Sequence, residues 1–439
     1  MTNSSESTTI LIKNAQINSD GNQLQPQELL IQAGKITAMA TEIPIPANFR
    51  GQLFDAGHHL VSPGLVDLHV HLRDPGQTYK ETITTGSQAA ARGGFTYIGA
   101  MPNLTPAPDT PAQLAVMNQR NQTEGVVHIG QYATLTTDRR GDQLVDFAGL
   151  AATGVLAFSN DGSGIQTADT MYRAMLAAKA VNKPVAAHVE DDSLRHGGVL
   201  NAGAKAQELG LPGLLEVVQT AQLARDLVLA QATGVHYHVC HVATAAELNL
   251  IRQAKAAGVQ VTCEVSPHHL LLADQDIPGD DANYKMNPPL RTESDRQAMI
   301  AGLLDGTIDC IATDHAPHSQ AEKDQGFRQA PFGIVGSETA FALLYTKFVQ
   351  TGVFTLAQLL NWLSQRPAAL FQLNQVGRLV VGGPADLALF DLDHTAPITA
   401  QTFASKGQNS PFIGWTVAGH TVATMVAGQF VYQRQEVQR

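Results

Sequence analysis

The fold is decided by the stretch LVDLHVHLR, residues 65–73, in which an apolar strand ends in two histidines and an arginine. Side chains alternate faces along a strand, so His69, His71 and Arg73 project from the same face. Two imidazoles about 6–7 Å apart, the spacing set by the rise of a strand, can bind one metal ion. The planar guanidinium group of arginine binds a carboxylate or phosphate through paired hydrogen bonds and is not a metal ligand. This strand therefore predicts a metal ion beside an anionic substrate.

The composition narrows the class of protein. The chain has 439 residues, of which only 15% are charged, and this is typical of a large buried α/β core with a second module. Lys and Arg number 28 against 39 Asp and Glu, and the net charge of −11 argues against a nucleic-acid or membrane-surface partner. Three scattered cysteines, no apolar leader and no apolar window of about 20 residues predict a cytoplasmic protein without disulfides or a membrane span.

The order of apolar segments predicts the architecture. Short strand-like runs fill residues 8–56 and 376–434, and between them apolar runs alternate with Ala-rich helical stretches. About eight strand–helix units predict a closed parallel barrel. We therefore expect an α/β protein, a TIM-like (β/α)8 barrel over residues 61–372, with a small β-sandwich built from residues 1–60 and 373–439. The predicted barrel strands lie near residues 65–71, 95–100, 126–133, 155–159, 184–189, 235–241, 260–265 and 308–313.

Polar side chains at the predicted strand ends supply partners for the first two histidines. A His-x-His pair alone also occurs by chance on a polar face, and each later residue alone also fits a turn, a helix cap or a loop. In an α/β barrel, however, the carboxyl ends of the strands meet at one rim, where catalytic groups gather. Four imidazoles and two carboxylates suffice for two divalent ions that share a bridging water. The set is His69, His71, Asp161, His188, His241 and Asp314.

Strand alternation also predicts which polar residues stay outside this set. His236 and His238 lie an odd number of residues from His241, so we expect them to face away from the site. His268 and His269 follow the seventh strand and are expected to be structural. Asp67 lies on the face of His69, one step deeper, and we expect it to orient a ligand histidine.

Ordered motifs along nearly the whole chain resemble the amidohydrolase superfamily and, within it, the type I dihydroorotases. The motifs are SPGLVDLHVHLRDPG (62–76), KETI (80–83), MPN (101–103), NDG (160–162), HVED (188–191), CHV (240–242), SPHHL (266–270), MNPPLR (286–291), TDHAPH (313–318) and PFGI (331–334), followed by Gly336 and Glu338-Thr339.

The resemblance implies a reaction and a cofactor. The reaction is the reversible cyclisation of N-carbamoyl-L-aspartate to L-dihydroorotate, the third step of pyrimidine biosynthesis, and the cofactor is one or two Zn²⁺ ions per subunit. The resemblance also divides the metal ligands between the ions. His69 and His71 would bind one ion with Asp314, and His188 and His241 would bind the other. Asp161 would take the bridging position, where many relatives have a carbamylated lysine.

The same resemblance implies roles around the metal. Asp314 would shuttle the proton. Arg73 and Asn103, assisted by His318, would hold the substrate carboxylate. Asn287 and the backbone around Phe332 and Gly333 would contact the ring amides. The substrate-binding residues implied are His71, Arg73, Asn103, Asn287, His318, Phe332 and Gly333. Independently of the resemblance, the Gly- and charge-rich composition of residues 322–336 predicts a loop that closes over the site.

The resemblance further implies a homodimer and allows association with aspartate transcarbamoylase. Two alternatives differ in function. A hydantoinase or allantoinase would open a related cyclic ureide, but such relatives usually have the bridging lysine and less use for Arg73 with Asn103. A non-catalytic dihydroorotase-like scaffold subunit would have lost metal ligands, whereas this sequence retains all six.

Overall fold

The computed structural model describes residues 9–434, in which strands open and close the chain and alternate with helices between. The strands are β1 (Thr9–Asp20), β2 (Gln23–Gln32), β3 (Lys35–Ala40), β4 (Gln52–Asp55), β5 (Leu60–Pro63), β6 (Leu65–Val70), β7 (Phe95–Ala100), β8 (His128–Gln131), β9 (Val185–Ala187), β10 (Leu200–Asn201), β11 (Gly213–Leu214), β12 (Tyr237–Val239), β13 (Val261–Val265), β14 (Cys310–Ile311), β15 (Leu387–Asp391), β16 (Ala396–Pro397), β17 (Thr416–Val417), β18 (His420–Val426) and β19 (Gln429–Gln433).

Several helices between these strands begin after a threonine whose side-chain oxygen accepts a hydrogen bond from a free backbone N–H of the first turn, as at Thr82 and Thr244. The helices are α1 (Ile83–Arg92), α2 (Pro111–Glu124), α3 (Phe147–Ala152), α4 (Ala168–Ala180), α5 (Ala204–Leu209), α6 (Val217–Thr233), α7 (Ala245–Ala256), α8 (Pro267–Leu271), α9 (Glu293–Leu304), α10 (Gln320–Lys323), α11 (Gly326–Gln329), α12 (Ala340–Leu344), α13 (Leu356–Leu363) and α14 (Gln365–Leu370).

Both ends of the chain contribute to one sheet. Its order is β19-β18-β15-β5-β1-β2-β3, with β4 beside β1. The junction between the two ends is the antiparallel pair β15 and β5, in which Leu387 lies opposite Pro63. A separate apolar cluster, which includes Ile12, Leu29 and Met425, packs beneath this sheet. The two β-rich ends are therefore joined, although more than 300 residues lie between them in sequence.

The middle of the chain forms parallel sheets. Strands β6, β7 and β8 pair in that order, and β9, β12, β13 and β14 form a second group. Single parallel bridges also join Ala133 to Phe158, Phe158 to Val185, and Val70 to His315. Because all these segments run in the same direction, their carboxyl ends face one edge. The predicted α/β class is confirmed.

One predicted strand, over residues 155–159, is reduced to bridges at Phe158. The backbone N–H of Phe158 donates to the carbonyl of Pro184 (3.0 Å). The N–H of Ala186 donates in return to the carbonyl of Phe158 (2.9 Å), but Pro184 has no N–H with which to extend the ladder of hydrogen bonds toward Leu156. No helix within residues 9–434 is long and apolar enough to cross a membrane.

Candidate metal and substrate site

The six predicted metal ligands lie together, buried, at the carboxyl ends of the parallel strands. Their ligand atoms form two groups, within each of which all atoms are within 4.8 Å of one another. The first group is His69, His71 and Asp314, and the second is Asp161, His188 and His241.

Asp161 contacts both groups. Its Oδ1 atom is 3.4 Å from Nε2 of His69 and 3.8 Å from Nε2 of His241. Its Oδ2 atom is 3.5 Å from Nε2 of His71. Within the second group, Nδ1 of His188 is 3.0 Å from Nε2 of His241. A carboxylate so placed is positioned to bridge two ions.

The backbone turns sharply where several strands deliver their side chains. Arg73, His241 and Asp314 have φ values of +59°, +33° and +48°, in the left-handed region that non-glycine residues rarely adopt. Such strain persists only where the surrounding structure enforces it, and it clusters at functional sites. For His71, the backbone N–H is fixed by a 2.8 Å hydrogen bond to the carbonyl of His315.

The donor set fits a divalent cation. The Nε2 atom of His69 and the Oδ1 atom of Asp161 are buried, and neither has a hydrogen-bond partner within residues 9–434. Burial lowers the pKa of His69, but the carboxylates of Asp161, Glu264 and Asp314 outweigh burial and raise it well above the usual value. The centre of the cluster therefore favours positive charge. Imidazole nitrogens with carboxylate oxygens are ligands typical of zinc and related metals.

A buried carboxylate that the sequence reasoning missed orients the first ligand. Glu264, on β13, accepts a hydrogen bond from Nδ1 of His69 (2.7 Å), which leaves Nε2 of that ring for the cluster. The other oxygen of Glu264 contacts Nε2 of His238 (3.1 Å). Burial raises the pKa of Glu264, but His69 and His238 outweigh it and lower it to about 2. The prediction that His238 faces away from the site is therefore wrong: His238 shares the acceptor Glu264 with His69 and contacts the cluster through that carboxylate.

The role expected for Asp67 is wrong. Its carboxylate accepts hydrogen bonds from the backbone N–H groups of His69 (3.1 Å) and Thr313 (3.0 Å), and from the Thr313 hydroxyl. It therefore ties the ends of two strands together and does not touch an imidazole ring. The missed signal was Glu264 itself, a carboxylate alone in the apolar run of β13.

A second missed carboxylate contacts His188. Oε2 of Glu190 is 3.2 Å from Nε2 of His188, and Oε1 accepts a hydrogen bond from Asn287 (3.0 Å). Arg195 forms an ion pair with the same carboxylate at 3.2 Å. Burial raises the pKa of Glu190, but His188, Arg195 and Asn287 together outweigh burial and lower the pKa to about 2. Asn287 is thereby placed next to the second ligand group.

A cavity of about 310 Å³ opens beside the cluster. It is large enough for a small molecule, and its wall combines metal-ligand candidates with polar and backbone groups. Its lining includes all seven residues predicted to bind substrate: His71, Arg73, Asn103, Asn287, His318, Phe332 and Gly333.

Arg73 and His318 lie next to each other at one end of this cavity. Arg73 is buried; its Nε donates to the carbonyl of Pro317 (3.3 Å), and its Nη2 is 3.4 Å from Nε2 of His318. His318 donates from Nε2 to the carbonyl of Phe332 (2.8 Å). Burial and the charge of Arg73 hold the pKa of His318 far below its usual value. This end therefore presents the buried guanidinium of Arg73 beside a neutral imidazole, and the buried ammonium of Lys80 lies 3.3 Å from Nδ1 of His318.

The predicted closing loop is tied to this end. Lys323 is buried and donates to the carbonyls of Gly333 (2.9 Å) and Pro331 (3.1 Å). Glu322 forms an ion pair with Lys80 at 2.9 Å. Helices α10 and α11 thus pack beside the backbone that lines the cavity.

Comparison with known proteins agrees with this geometry. Residues 58–247 match a family model described as dihydro-orotase-like. The chain is 59% identical to the dihydroorotase of Lactiplantibacillus plantarum, over 97% of this chain and 99% of the relative. It is 57% identical to that of Ligilactobacillus salivarius and 54% identical to that of Enterococcus faecalis, with the same coverage of both chains.

Solved structures show the same fold. The L-hydantoinase (dihydropyrimidinase) from Arthrobacter aurescens superposes with a TM-score of 0.85 at 26% identity, covering 98% of each chain. The D-hydantoinase from a Thermus species has a TM-score of 0.83 at 24% identity, covering 97% of this chain and 95% of that one, a likeness of fold alone. Fold and site together are those of a metal-dependent cyclic amidohydrolase. Within that superfamily, the chain belongs to the dihydroorotase family, type I.

Proposed function

We propose that this chain catalyses the dihydroorotase reaction, in which N-carbamoyl-L-aspartate cyclises reversibly to L-dihydroorotate with loss of water. The main support for this proposal is a cavity of about 310 Å³. Its lining combines Arg73, whose guanidinium can bind a carboxylate, with members of the buried cluster of six ligand candidates. The relatives at 53–59% identity named dihydroorotase support the same activity. The chain is accordingly an enzyme that acts on a small molecule.

The metal is proposed to be zinc, with one or two ions per subunit. His69, His71 and Asp314 would hold one ion, His188 and His241 the other, and Asp161 would bridge them. Zinc, when bound, lowers the pKa of coordinated water toward 7 and polarises a carbonyl group.

Asp314 is the proposed proton shuttle. Its Oδ1 atom is 3.1 Å from Nε2 of His71 and borders the cavity. Burial raises the pKa of Asp314, but His69 and the hydrogen bond from His71 outweigh burial and hold it well below its usual range. The ionised carboxylate takes a proton from the attacking water and gives it to the leaving ring nitrogen, and in cyclisation these steps reverse.

The carboxylate of the substrate is proposed to bind between Arg73 and Asn103, with His318 at the same end of the cavity. Asn103 accepts a hydrogen bond from Nδ1 of His71 (2.8 Å), so its NH₂ group is the part left to donate to a substrate. This bond also leaves Nε2 of His71 for the metal. Asn287 and the backbone of Phe332 and Gly333 would contact the ring amides, whose paired N–H and C=O groups match such partners.

The finer architecture is also a proposal. We infer that the parallel strands close into a (β/α)8 barrel within residues 61–372, and that residues 1–60 and 373–439 form the second module. The bridges from Phe158 to both neighbouring strands and from Val70 to His315 support closure. The single sheet shared by both chain ends supports the division. The homodimer and the association with aspartate transcarbamoylase remain predictions of the resemblance, and the cytoplasmic location remains a prediction of the composition.

The test combines metal analysis of the purified chain with assays on dihydroorotate, hydantoin and allantoin. We expect bound zinc and a kcat/KM for dihydroorotate well above that for either alternative substrate, since neither alternative offers a carboxylate to Arg73. Removal of metal by a chelator should abolish turnover, and zinc should restore it. A preference for hydantoin or allantoin, or metal-loaded protein inert toward dihydroorotate, would contradict the proposal.

A further inference from the structure

A segment from the far end of the chain reaches the substrate cavity. Residues 404–409, here named the clasp, follow β16, a strand beyond the terminal-sheet strand β15. The clasp packs against loops at the carboxyl ends of the parallel strands and ends in Asn409, which is only 2% exposed. Asn409 does not line the cavity. Its contacts show why a buried amide is placed there.

The side chain of Asn409 joins two loops. Its Oδ1 atom accepts a hydrogen bond from the backbone N–H of His318 (3.0 Å). Its Nδ2 atom donates to the carbonyls of Ala316 (3.1 Å) and Gly333 (3.0 Å). Its own backbone carbonyl accepts from the N–H of Val335 (3.0 Å). One residue therefore links the loop that carries His318 to the loop that carries Phe332 and Gly333.

The two loops approach each other too closely for a side chain between them. Gly333 has a φ of +133°, and a Cβ atom there would lie 2.7 Å from Cβ of Ala316 and 2.9 Å from its carbonyl oxygen. The amide of Asn409 spans this junction, with both N–H groups directed at the two backbones. The spacing of the loops thus depends on a glycine in one of them and on this amide.

The clasp is itself held by two acidic side chains. Glu338 accepts hydrogen bonds from the backbone N–H groups of Ala404 (2.9 Å) and Ser405 (3.1 Å). Glu81 accepts from the Ser405 hydroxyl and from the N–H of Lys406 (3.3 Å). With its start fixed in this way, the clasp presents Asn409 to the loops at a defined position.

We propose that Asn409 is a positioning residue for substrate binding, which holds the loops of His318 and of Phe332-Gly333 at the spacing that the substrate spans. The inference rests on the proposed dihydroorotase function. Asn409 hydrogen-bonds to none of the six metal-ligand candidates, which include the proposed proton shuttle Asp314. Its loss therefore raises KM and changes kcat and metal content little.

The test compares three substitutions at this position with one beside it. Asn409→Asp keeps the shape and the acceptor toward His318 but sets an oxygen against two carbonyls, whereas Asn409→Ala removes all three contacts. Asn409→Ser is the milder change, kept for the case in which the others do not fold. Gln408→Ala alters the exposed neighbour and is the matched control.

We expect Asn409→Asp and Asn409→Ala to raise KM for dihydroorotate about tenfold or more, because the loops lose two or three buried hydrogen bonds. Asn409→Ser should give an intermediate KM; kcat should stay within about threefold, and zinc content and the KM of Gln408→Ala should match the wild type. A wild-type KM in any folded Asn409 variant, or a parallel loss of kcat and zinc, overturns the inference while the wild-type enzyme remains active. A wild-type chain inert toward dihydroorotate defeats both this inference and the proposed function.

Discussion

The cavity has a metal end, formed by the six ligand candidates, and a carboxylate end, formed by Arg73, His318 and the backbone of Phe332 and Gly333. The two ends are built in different ways. At the metal end, the ligands come from the last residues of parallel strands or from the residues just after them, as with His69, His71 and His241. At the carboxylate end, the groups come from loops, and backbone carbonyls, Lys323 and Asn409 fix their spacing. Strand register sets the first end, whereas contacts distant in sequence set the second. Changes at the two ends should therefore have separable effects on turnover and on substrate binding.

The largest expected effect is at the metal end. Asp314→Asn should lower kcat by about 10³-fold, because the amide cannot accept the proton of the attacking water. KM for dihydroorotate should change little, since Arg73 and Asn103 are untouched. Steady-state kinetics at matched zinc content measures both, and Asp324→Asn, at an exposed carboxylate, should behave as wild type. Substantial residual turnover in Asp314→Asn would exclude this residue as the shuttle.

The next largest effect is expected on zinc affinity, from the carboxylate of Glu264 that orients His69. Glu264→Gln should weaken zinc binding by about 10- to 100-fold, because the charged acceptor that orients His69 is lost. Competition with a chromophoric chelator measures the affinity. The matched control is His236→Gln: His236 hydrogen-bonds to Thr262 rather than to Glu264, so this change should leave zinc affinity within about twofold. Equal zinc affinity in Glu264→Gln and the wild type would show that strand register alone orients the ring.

At the carboxylate end, Arg73→Lys should raise KM for dihydroorotate about tenfold while kcat falls much less. An ammonium group lacks the planar fork that binds a carboxylate through two parallel hydrogen bonds. Zinc content should be unchanged, which separates this effect from that of Glu264→Gln. Normal saturation by dihydroorotate in Arg73→Lys would refute the proposed carboxylate clamp.

The same contrast explains what could be predicted from the sequence. A strand repeats every two residues, so His69 and His71 could be placed on one face from spacing alone. The strand β6 ends at Val70, and the backbone at Arg73 turns (φ +59°), so strand alternation does not account for the position of Arg73. The same periodicity places Glu264 two residues after Thr262 within a buried strand, before the strand end at which catalytic groups are expected. Asp67 has the right register but satisfies backbone N–H groups instead of an imidazole.

Asn409 could not be found in this way. Its partners lie 93, 91 and 76 residues earlier in the chain, at Ala316, His318 and Gly333, and no local pattern connects them. The segment at residues 155–159 shows a similar limit, because its pairing depends on Pro184 in the next segment. Local periodicity determines which face a side chain occupies, whereas the fold determines which distant backbone it meets.

The smallest predicted effect concerns pH at the carboxylate end. Lys323 donates to the carbonyls of Gly333 and Pro331, and burial, together with the charge of Lys285, lowers its pKa to about 7. Below that pH the ammonium has three N–H donors and a full charge, and above it one donor and the charge are lost. KM for dihydroorotate should therefore rise about threefold between pH 6 and pH 8. Lys323→Met should remove this dependence.

Folding stability gives an independent check with a fixed sign. The pKa of Lys323 is lowered from 10.5 in the unfolded chain to about 7 in the folded one, so between these values the unfolded chain binds the extra proton. The wild type should therefore gain stability relative to Lys323→Met as the pH rises from 7 toward 10, and the difference should be constant below 7. Lys347→Met, at an exposed lysine, should track the wild type in both KM and stability. If Lys323→Met retains the pH dependence of KM, another group controls the loop, and the carboxylate end owes its spacing to Asn409 without help from Lys323.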